Sequence, residues 1–220
     1  LLNAVAGVFP VDRGIILLDG EDITLQPEHR RAAYIGRVFQ NPLQGTAASM
    51  TIEENMAMAR RRGQKRGLKR GLTAPSRKQI RESLAVLGLG LEDRLQCPVG
   101  LLSGGQRQAL ALVMATMIRP RILLLDEHTA ALDPTTAEQI ILLTQRIVAQ
   151  EGLTTLMITH SLEQALQLGD RTIMMHEGQI VLSISGRERA QMGVEDLLEE
   201  FRKLRGVDVT DDSLLLTTSA

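Results

Sequence analysis

The 220 residues suit one domain with room for a subdomain, long enough to bury about 70% of the unfolded surface. With 44% hydrophobic residues, 23% charged and a formal net charge of -1, the composition shows no bias toward nucleic acid. No uncharged run reaches membrane-spanning length, no signal peptide opens the sequence, and the lone Cys97 rules out an internal disulfide.

The sequence starts without methionine inside an apolar helical pattern, Leu1 to Gly7, and so reads as a truncated piece. A turn-rich connector leads to a strand, Ile15 to Leu18, ending at Asp19-Gly20. A short helix is expected over Gln26 to Ala33, with Pro27 at its first position, then a strand from Tyr34 to Phe39 closed by Gln40-Asn41-Pro42. Thr51 and Glu54 form a capping box before a helix reaching about Arg60. A second box, Ser76 to Gln79, precedes Ile80, Leu84 and Leu87 at helical spacing. Between the helices runs a basic stretch, Arg60, Arg61, Arg62, Lys65, Arg66, Lys69, Arg70, Arg77 and Lys78. Without an interleaved aromatic residue it makes a poor nucleic-acid patch; a solvated insertion or contact with anionic lipid fits better.

Ser103 suits an N-cap with Gln106 three residues on, and Gly104-Gly105 lets another group approach the backbone. Such a helix mouth offers N–H groups to an anion. The run Ala109 to Ile118 is apolar on every side, as a buried helix requires, and Pro120 stops it. Ile122 to Leu125 reads as a central parallel strand, delivering Asp126 and Glu127 at its carboxyl end, where α/β sheets gather their chemistry. Adjacent carboxylates can divide the labour, one holding hydrated magnesium and the other orienting or deprotonating water. Taken singly, Ser103 could equally be a plain cap and the acids a solvated strand end.

Downstream, a helix from about Thr135 to Ala149 carries Ile140, Ile141, Leu142 and Ile147 toward the sheet. A strand comes next at Thr154 to Thr159, with His160 at its end and a Ser161–Gln164 capping box. A hairpin is expected over Arg171 to Ser183, turning at Glu177-Gly178, then an amphipathic helix from Val194 to Arg205.

Taken together, Leu102 to Gln108, Ile122 to Glu127 and Ala131-Leu132-Asp133 resemble the signature loop, Walker B strand and D-loop of ATP-binding-cassette (ABC) ATPases. The resemblance covers Leu1 to about Arg205 and points to an importer-type bacterial branch of uncharacterised substrate. It implies an α/β fold: a P-loop NTPase-like, mostly parallel core (1–49 and 119–206) with an antiparallel β edge, an inserted helical subdomain (50–118), and a partly disordered tail (207–220).

By the same resemblance, Asp126 holds Mg2+ through water, Glu127 is the general base of ATP hydrolysis, and Gln40 and His160, as Q-loop and H-loop residues, orient water and γ-phosphate. Gln40 also reaches the metal. Ser103, Gly104, Gly105 and Gln106 close on ATP held by a second copy in a head-to-tail dimer, and Asp133 communicates across that interface. The implied partners are transmembrane permease subunits and an extracytoplasmic solute-binding protein, at the cytoplasmic face of the inner membrane, with no nucleic acid. His128 stands where the family more often has proline, and reads as a backbone variant rather than a metal ligand or pH switch.

No G-x-x-x-x-G-K-[ST] occurs in the sequence; Leu1-Leu2-Asn3 resembles the residues just after that Walker A loop. Losing four or five contacts of about 1.5–3 kcal/mol each removes most of the ~8 kcal/mol behind a micromolar complex. The 220 residues alone are therefore expected to bind ATP weakly and to be inactive. The alternatives are a non-transport ABC ATPase acting in DNA repair or on ribosomes, and a catalytically dead binding fragment.

Overall fold

The computed structural model describes residues 1–64, 67 and 71–205, which divide into two compact units, Leu1–Ile158 and the residues from Thr159 onward. The tail after residue 205 and Lys65, Arg66, Lys69 and Arg70 of the basic stretch lie outside the described residues.

The first unit opens with helix α1 (Leu2–Ala6), closed by Gly7 in the left-handed conformation at φ 82°. Strands β1 (Leu17–Leu18) and β2 (Glu21–Asp22) form an antiparallel hairpin around Asp19-Gly20. Helix α2 is a single turn, Glu28–Arg31. Pro27 lies one position earlier than expected, as its extended N-cap at ψ 155°. Strand β3 (Ile35–Val38) comes after it.

Helix α3 (Ile52–Arg60) starts with the expected Thr51–Glu54 capping box. Helix α4 (Ala74–Ala85) does not start where expected. Its N-cap is Thr73, and Ser76 is the reciprocating third residue of that box, already inside the helix, with Pro75 in the first turn. A serine three residues after a threonine allows either reading; Pro75 decides it, since proline favours the opening turn. Helix α5 (Gly104–Thr116) is capped by Ser103, which accepts from Gln106 N–H at 3.2 Å while Gln106 Oε1 accepts from Ser103 N–H. Strand β4 (Ile122–Asp126), helix α6 (Pro134–Glu151) and strand β5 (Thr155–Ile158) complete the unit.

The sheet has the order β3-β4-β5, all parallel, with Val38 opposite Leu125 and Asp126 opposite Ile158. The fold is thus a mixed α/β core of P-loop NTPase-like type, with a parallel sheet, antiparallel edge strands and an added helical region. Alternation along β4 explains its unbroken apolar run. Leu123 and Leu125 enter one core with Ala109, Leu112, Ile140 and Ile147, while Leu124 enters another with Leu2, Ala6, Ile23 and Ile35. Helix α5 is apolar all round for a similar reason. Ala109, Leu112 and Ala115 face the sheet, and Leu110 and Val113 face a layer built from Ile52, Met56, Ile80 and Leu84 of α3 and α4. Gly36 admits the close approach of α5 to β3, because a Cβ there would lie 2.7 Å from the Ala115 carbonyl oxygen. On α6 the buried residues are Ile140, Leu143, Thr144 and Ile147; Leu142, expected on the sheet side, is exposed. The 3.6-residue period sets Leu143 in register with Ile140 and Ile147.

Charged side chains fix several junctions. Arg62 donates to the carbonyls of Ala115 (2.8 Å) and Ile118, satisfying acceptors at the end of α5. Arg77 grips the buried Glu53 through two bonds of 2.8 and 3.0 Å, and holds its carboxyl below the usual range against the effect of burial. Two members of the basic stretch are therefore structural. Arg31 is buried and donates to four carbonyls, of Ala4, Val5 and Gln26 at 2.8 Å and Thr24 at 2.7 Å, tying α1 to the segment before α2.

In the second unit, helix α7 (Leu162–Gln167) is capped by Ser161, which accepts from Gln164 N–H at 3.2 Å. The Gln164 side chain accepts from the Thr159 hydroxyl instead of returning to Ser161, so the expected box is half formed. Strands β6 (Arg171–His176) and β7 (Gln179–Ser185) make the expected hairpin. Helix α8 (Gly186–Gln191), unforeseen in the sequence, precedes α9 (Val194–Arg205). Among the described residues no helix is long and apolar enough to cross a membrane.

Arg31→Met would leave the Val5, Thr24 and Gln26 carbonyls without their donor inside the fold, while the Ala4 carbonyl keeps the Gly7 N–H at 3.1 Å. Each unsatisfied group costs about 1–3 kcal/mol, so a loss of ~3 kcal/mol or more is expected in denaturant unfolding. A loss below ~1 kcal/mol would show that water replaces the guanidinium there.

Candidate active site

The strand ends of β3 and β4 bring three of the sequence-derived residues together. Asp126 is the last residue of β4, and Glu127 comes next with φ 42°, in the left-handed region. A glutamate there carries roughly 1–2 kcal/mol of backbone strain, which its surroundings must hold. The Glu127 N–H donates to the Ile158 carbonyl at 3.0 Å, extending the β4–β5 ladder by one rung. Gln40, two residues past the end of β3, donates from Nε2 to Glu127 Oε2 at 3.0 Å. A carboxylate and a carboxamide from neighbouring strands thus flank one point in space beside Asp126.

Arg37 was not foreseen as part of this group. Its Nη2 lies 3.4 Å from Asp126 Oδ2 and 2.5 Å from Asn3 Oδ1, and its Cζ stands 4.4 Å from the centre of the Phe39 ring. The signal was present in the sequence: an arginine within an apolar strand requires a partner. Gln108 was likewise passed over as the end of a motif. It is buried and donates from Nε2 to the Phe39 carbonyl at 3.2 Å, joining α5 to the segment that presents Gln40.

The residues at the mouth of α5 form a second group. Ser103 and Gly104 are exposed, Gln106 is half-buried and Gly105 is buried against α6. A Cβ on Gly105 would lie 2.2 Å from Thr136 Cγ2, and one on Gly104 would lie 3.3 Å from Leu132. A side chain at Gly105 would force Thr136 to move, so the two helix starts meet at a glycine. Asp133 caps α6, its Oδ1 accepting from Thr136 N–H at 3.0 Å, and hydrogen bonds from Thr136 hold its carboxyl below the usual range. The mouth of α5 and the start of α6 therefore share one small patch of surface. His160 belongs to the second unit and is exposed.

His128 is 2% exposed. Its Nε2 is 3.1 Å from the Thr144 hydroxyl, which donates its single proton to the Ile140 carbonyl at 2.7 Å. The oxygen must then accept, which assigns the Nε2–H tautomer. Burial lowers the imidazole pKa to about 4. The ring is a neutral peg that fastens the segment after Glu127 to α6.

A match to the ABC transporter family covers residues 1–130. The tyrosine transport ATP-binding protein of Clostridioides difficile is 44% identical over 201 residues, spanning 91% of this chain and 80% of that protein. The thiamine import ATP-binding protein ThiQ of Salmonella choleraesuis is 33% identical over 180 residues, 82% of this chain and 72% of the relative. Against the molybdate/tungstate import ATP-binding protein WtpC of Pyrococcus horikoshii, 36% identical, the chain spans 49% of the relative's length. Among solved structures, the ADP conformation of an ATP-binding cassette of an ABC transporter superposes with a TM-score of 0.73 at 25% identity, covering 91% of this chain and 81% of the other. A dimeric, post-hydrolysis cassette bound to ADP and phosphate gives 0.69 at 27%, covering 84% and 78%. The chain belongs to the ABC transporter family, as an ATP-binding subunit of the importer type.

Membership implies ATP and magnesium, and the donor set fits the cation. Magnesium keeps most of its waters and takes one or two carboxylates plus phosphate oxygens. Asp126 offers a side chain 34% exposed at a strand end. Among the described residues no group of three or more metal-ligating side chains forms a cage.

The His128 peg predicts a pH dependence. A free histidine, with pKa near 6.5, takes up a proton on unfolding wherever the folded ring at about 4 does not. Its contribution is fully present above about pH 6.5 and is lost as pH falls toward 4, by up to about 3 kcal/mol. Denaturant unfolding between pH 7 and 4.5 should show His128→Gln losing less stability than the parent. Parallel curves would contradict the assignment.

Proposed function

We propose that this subunit hydrolyses ATP to drive solute uptake through separate permease subunits, with Gln40, Asp126, Glu127 and His160 at the nucleotide and Ser103 to Gln106 facing the nucleotide of a second copy. The observation that carries this reading is the 3.0 Å bond from Gln40 to Glu127 beside Asp126 at the carboxyl ends of adjacent parallel strands. Phosphoryl transfer to water asks a protein mainly for positioning and charge stabilisation, and these side chains suit both tasks.

Glu127 Oε accepts the proton of the attacking water, and the amide of Gln40 orients both the carboxylate and that water. Asp126 would hold the hydrated magnesium ion, which would supply charge neutralisation at the phosphate oxygens. His160 donates to the γ-phosphate. Ser103, with the N–H groups of Gly104 and Gly105 at the start of a 13-residue helix, supplies hydrogen-bond donors and positive helix-end potential to the triphosphate of the opposite protomer, while the Gln106 N–H stays on the Ser103 cap. Asp133, at the adjoining start of α6, lies on the same interface. The working unit is a head-to-tail dimer at the cytoplasmic face of the membrane, with residues 50–118 as the helical part that meets the permease. An extracytoplasmic binding protein delivers the solute. The 44% identity to a tyrosine transport protein favours an amino acid as that solute.

In the complete protein, Glu127→Gln should lower kcat by about 10²–10⁴ while ATP binding persists. Phosphate release and nucleotide retention, measured on the same sample, test this. Retention of full activity would move the base elsewhere.

A further inference from the structure

Arg37 is the one charged residue of β3 and its side chain is 13% exposed. Three groups hold the guanidinium: Asn3 Oδ1 of α1 at 2.5 Å, the Phe39 ring at 4.4 Å from Cζ, and Asp126 Oδ2 at 3.4 Å. The Asn3 bond is short and the Asp126 contact is long for a charge-assisted bond, which ordinarily closes to about 2.7–2.9 Å. Among the described residues, Arg37 Nε is buried without a hydrogen-bond partner. The group is therefore seated by Asn3 and Phe39, and it leans a positive charge on Asp126 without engaging it fully. A cation that binds Asp126 competes with this resident charge.

We infer that Arg37 is a built-in counter-charge for Asp126: it positions the carboxylate when no magnesium nucleotide is bound, and it sets how much magnesium the subunit needs. This rests on Asp126 as the residue that holds the metal. A long contact is one that a divalent cation can displace, because the guanidinium keeps its seat on Asn3 and Phe39 when Asp126 turns away. The same seat places Arg37 against Phe39, whose neighbour Gln40 reaches Glu127, so both carboxylates are set by groups from β3 and the segment just after it. Asn3 adds a second control. Removing it releases the guanidinium toward Asp126, strengthening the competition.

The test uses the complete protein and a fluorescent ATP analogue, titrating magnesium and reading the concentration for half-maximal nucleotide binding. Arg37→Met should lower that concentration roughly three- to ten-fold, the scale of one partly exposed ion pair or charged hydrogen bond. Arg37→Lys should fall between Met and the parent, and Asn3→Ala should raise the requirement. The opposite signs for Asn3 and Arg37 separate this role from simple loss of packing, and Asn3→Ala tests it even where Arg37→Met does not fold. An unchanged or raised requirement in Arg37→Met, or a lowered one in Asn3→Ala, overturns the inference. Asp126→Asn separates the two roles: if it removes the magnesium dependence, only the role of Arg37 has failed, and if it leaves the dependence intact, the metal assignment fails with it.

Discussion

The site depends on one constraint: β4 must be buried on both faces and paired along both edges before two carboxylates can be carried to a fixed place. Leu124 faces one core, Leu123 and Leu125 face the other, and parallel neighbours saturate the backbone. A strand so held cannot slide by one residue without turning its apolar side chains to the wrong faces. The chain then breaks register at once. Glu127 enters the left-handed region and His128 turns inward to Thr144, which leaves Asp126 and Glu127 at the strand end. The strain at Glu127 is opposed by the rung to Ile158, the bond from Gln40 and the buried peg at His128.

Helix α5 connects this point to the second group of residues. One end, capped by Ser103, packs Gly105 against Thr136 at the start of α6. Its second turn sends Gln108 to the Phe39 carbonyl beside Gln40, and its last turn is held by Arg62. A displacement of α5 would thus be felt both at the exposed Ser103–Gly104 mouth and at the strand end that carries Gln40.

Much of this was legible in the sequence, because apolar patterning and caps are local and strong. The Ser103 and Thr51 boxes, the β4 run and the β6–β7 hairpin are all set by spacing alone. Where local signals compete, spacing does not decide. Ser76 can open a box or close one, and Pro75 chose the earlier start. Leu142 and Leu143 are equally apolar, and only the helical phase fixed by Ile140 and Ile147 buries the second. The roles of Arg37, Gln108 and Arg31 were hidden for another reason. Each makes bonds to residues distant in sequence, 89, 69 and 27 positions away, and no pattern of spacing encodes them. His128 read as a backbone variant; its burial and its bond to Thr144, sixteen residues on, needed the packing of α6.

The central claim is that Asp126 and Glu127 of one protomer share a triphosphate with Ser103 of another. Mixing tests it most directly: prepare the complete protein as Ser103→Arg and separately as Asp126→Asn, then measure phosphate release from each alone and from the two combined. Shared sites predict two silent proteins and an active mixture, because the mixed dimer regains one site with Asp126 and Ser103 both intact. A mixture as silent as its components, in which mixed dimers are shown to form, would contradict the account.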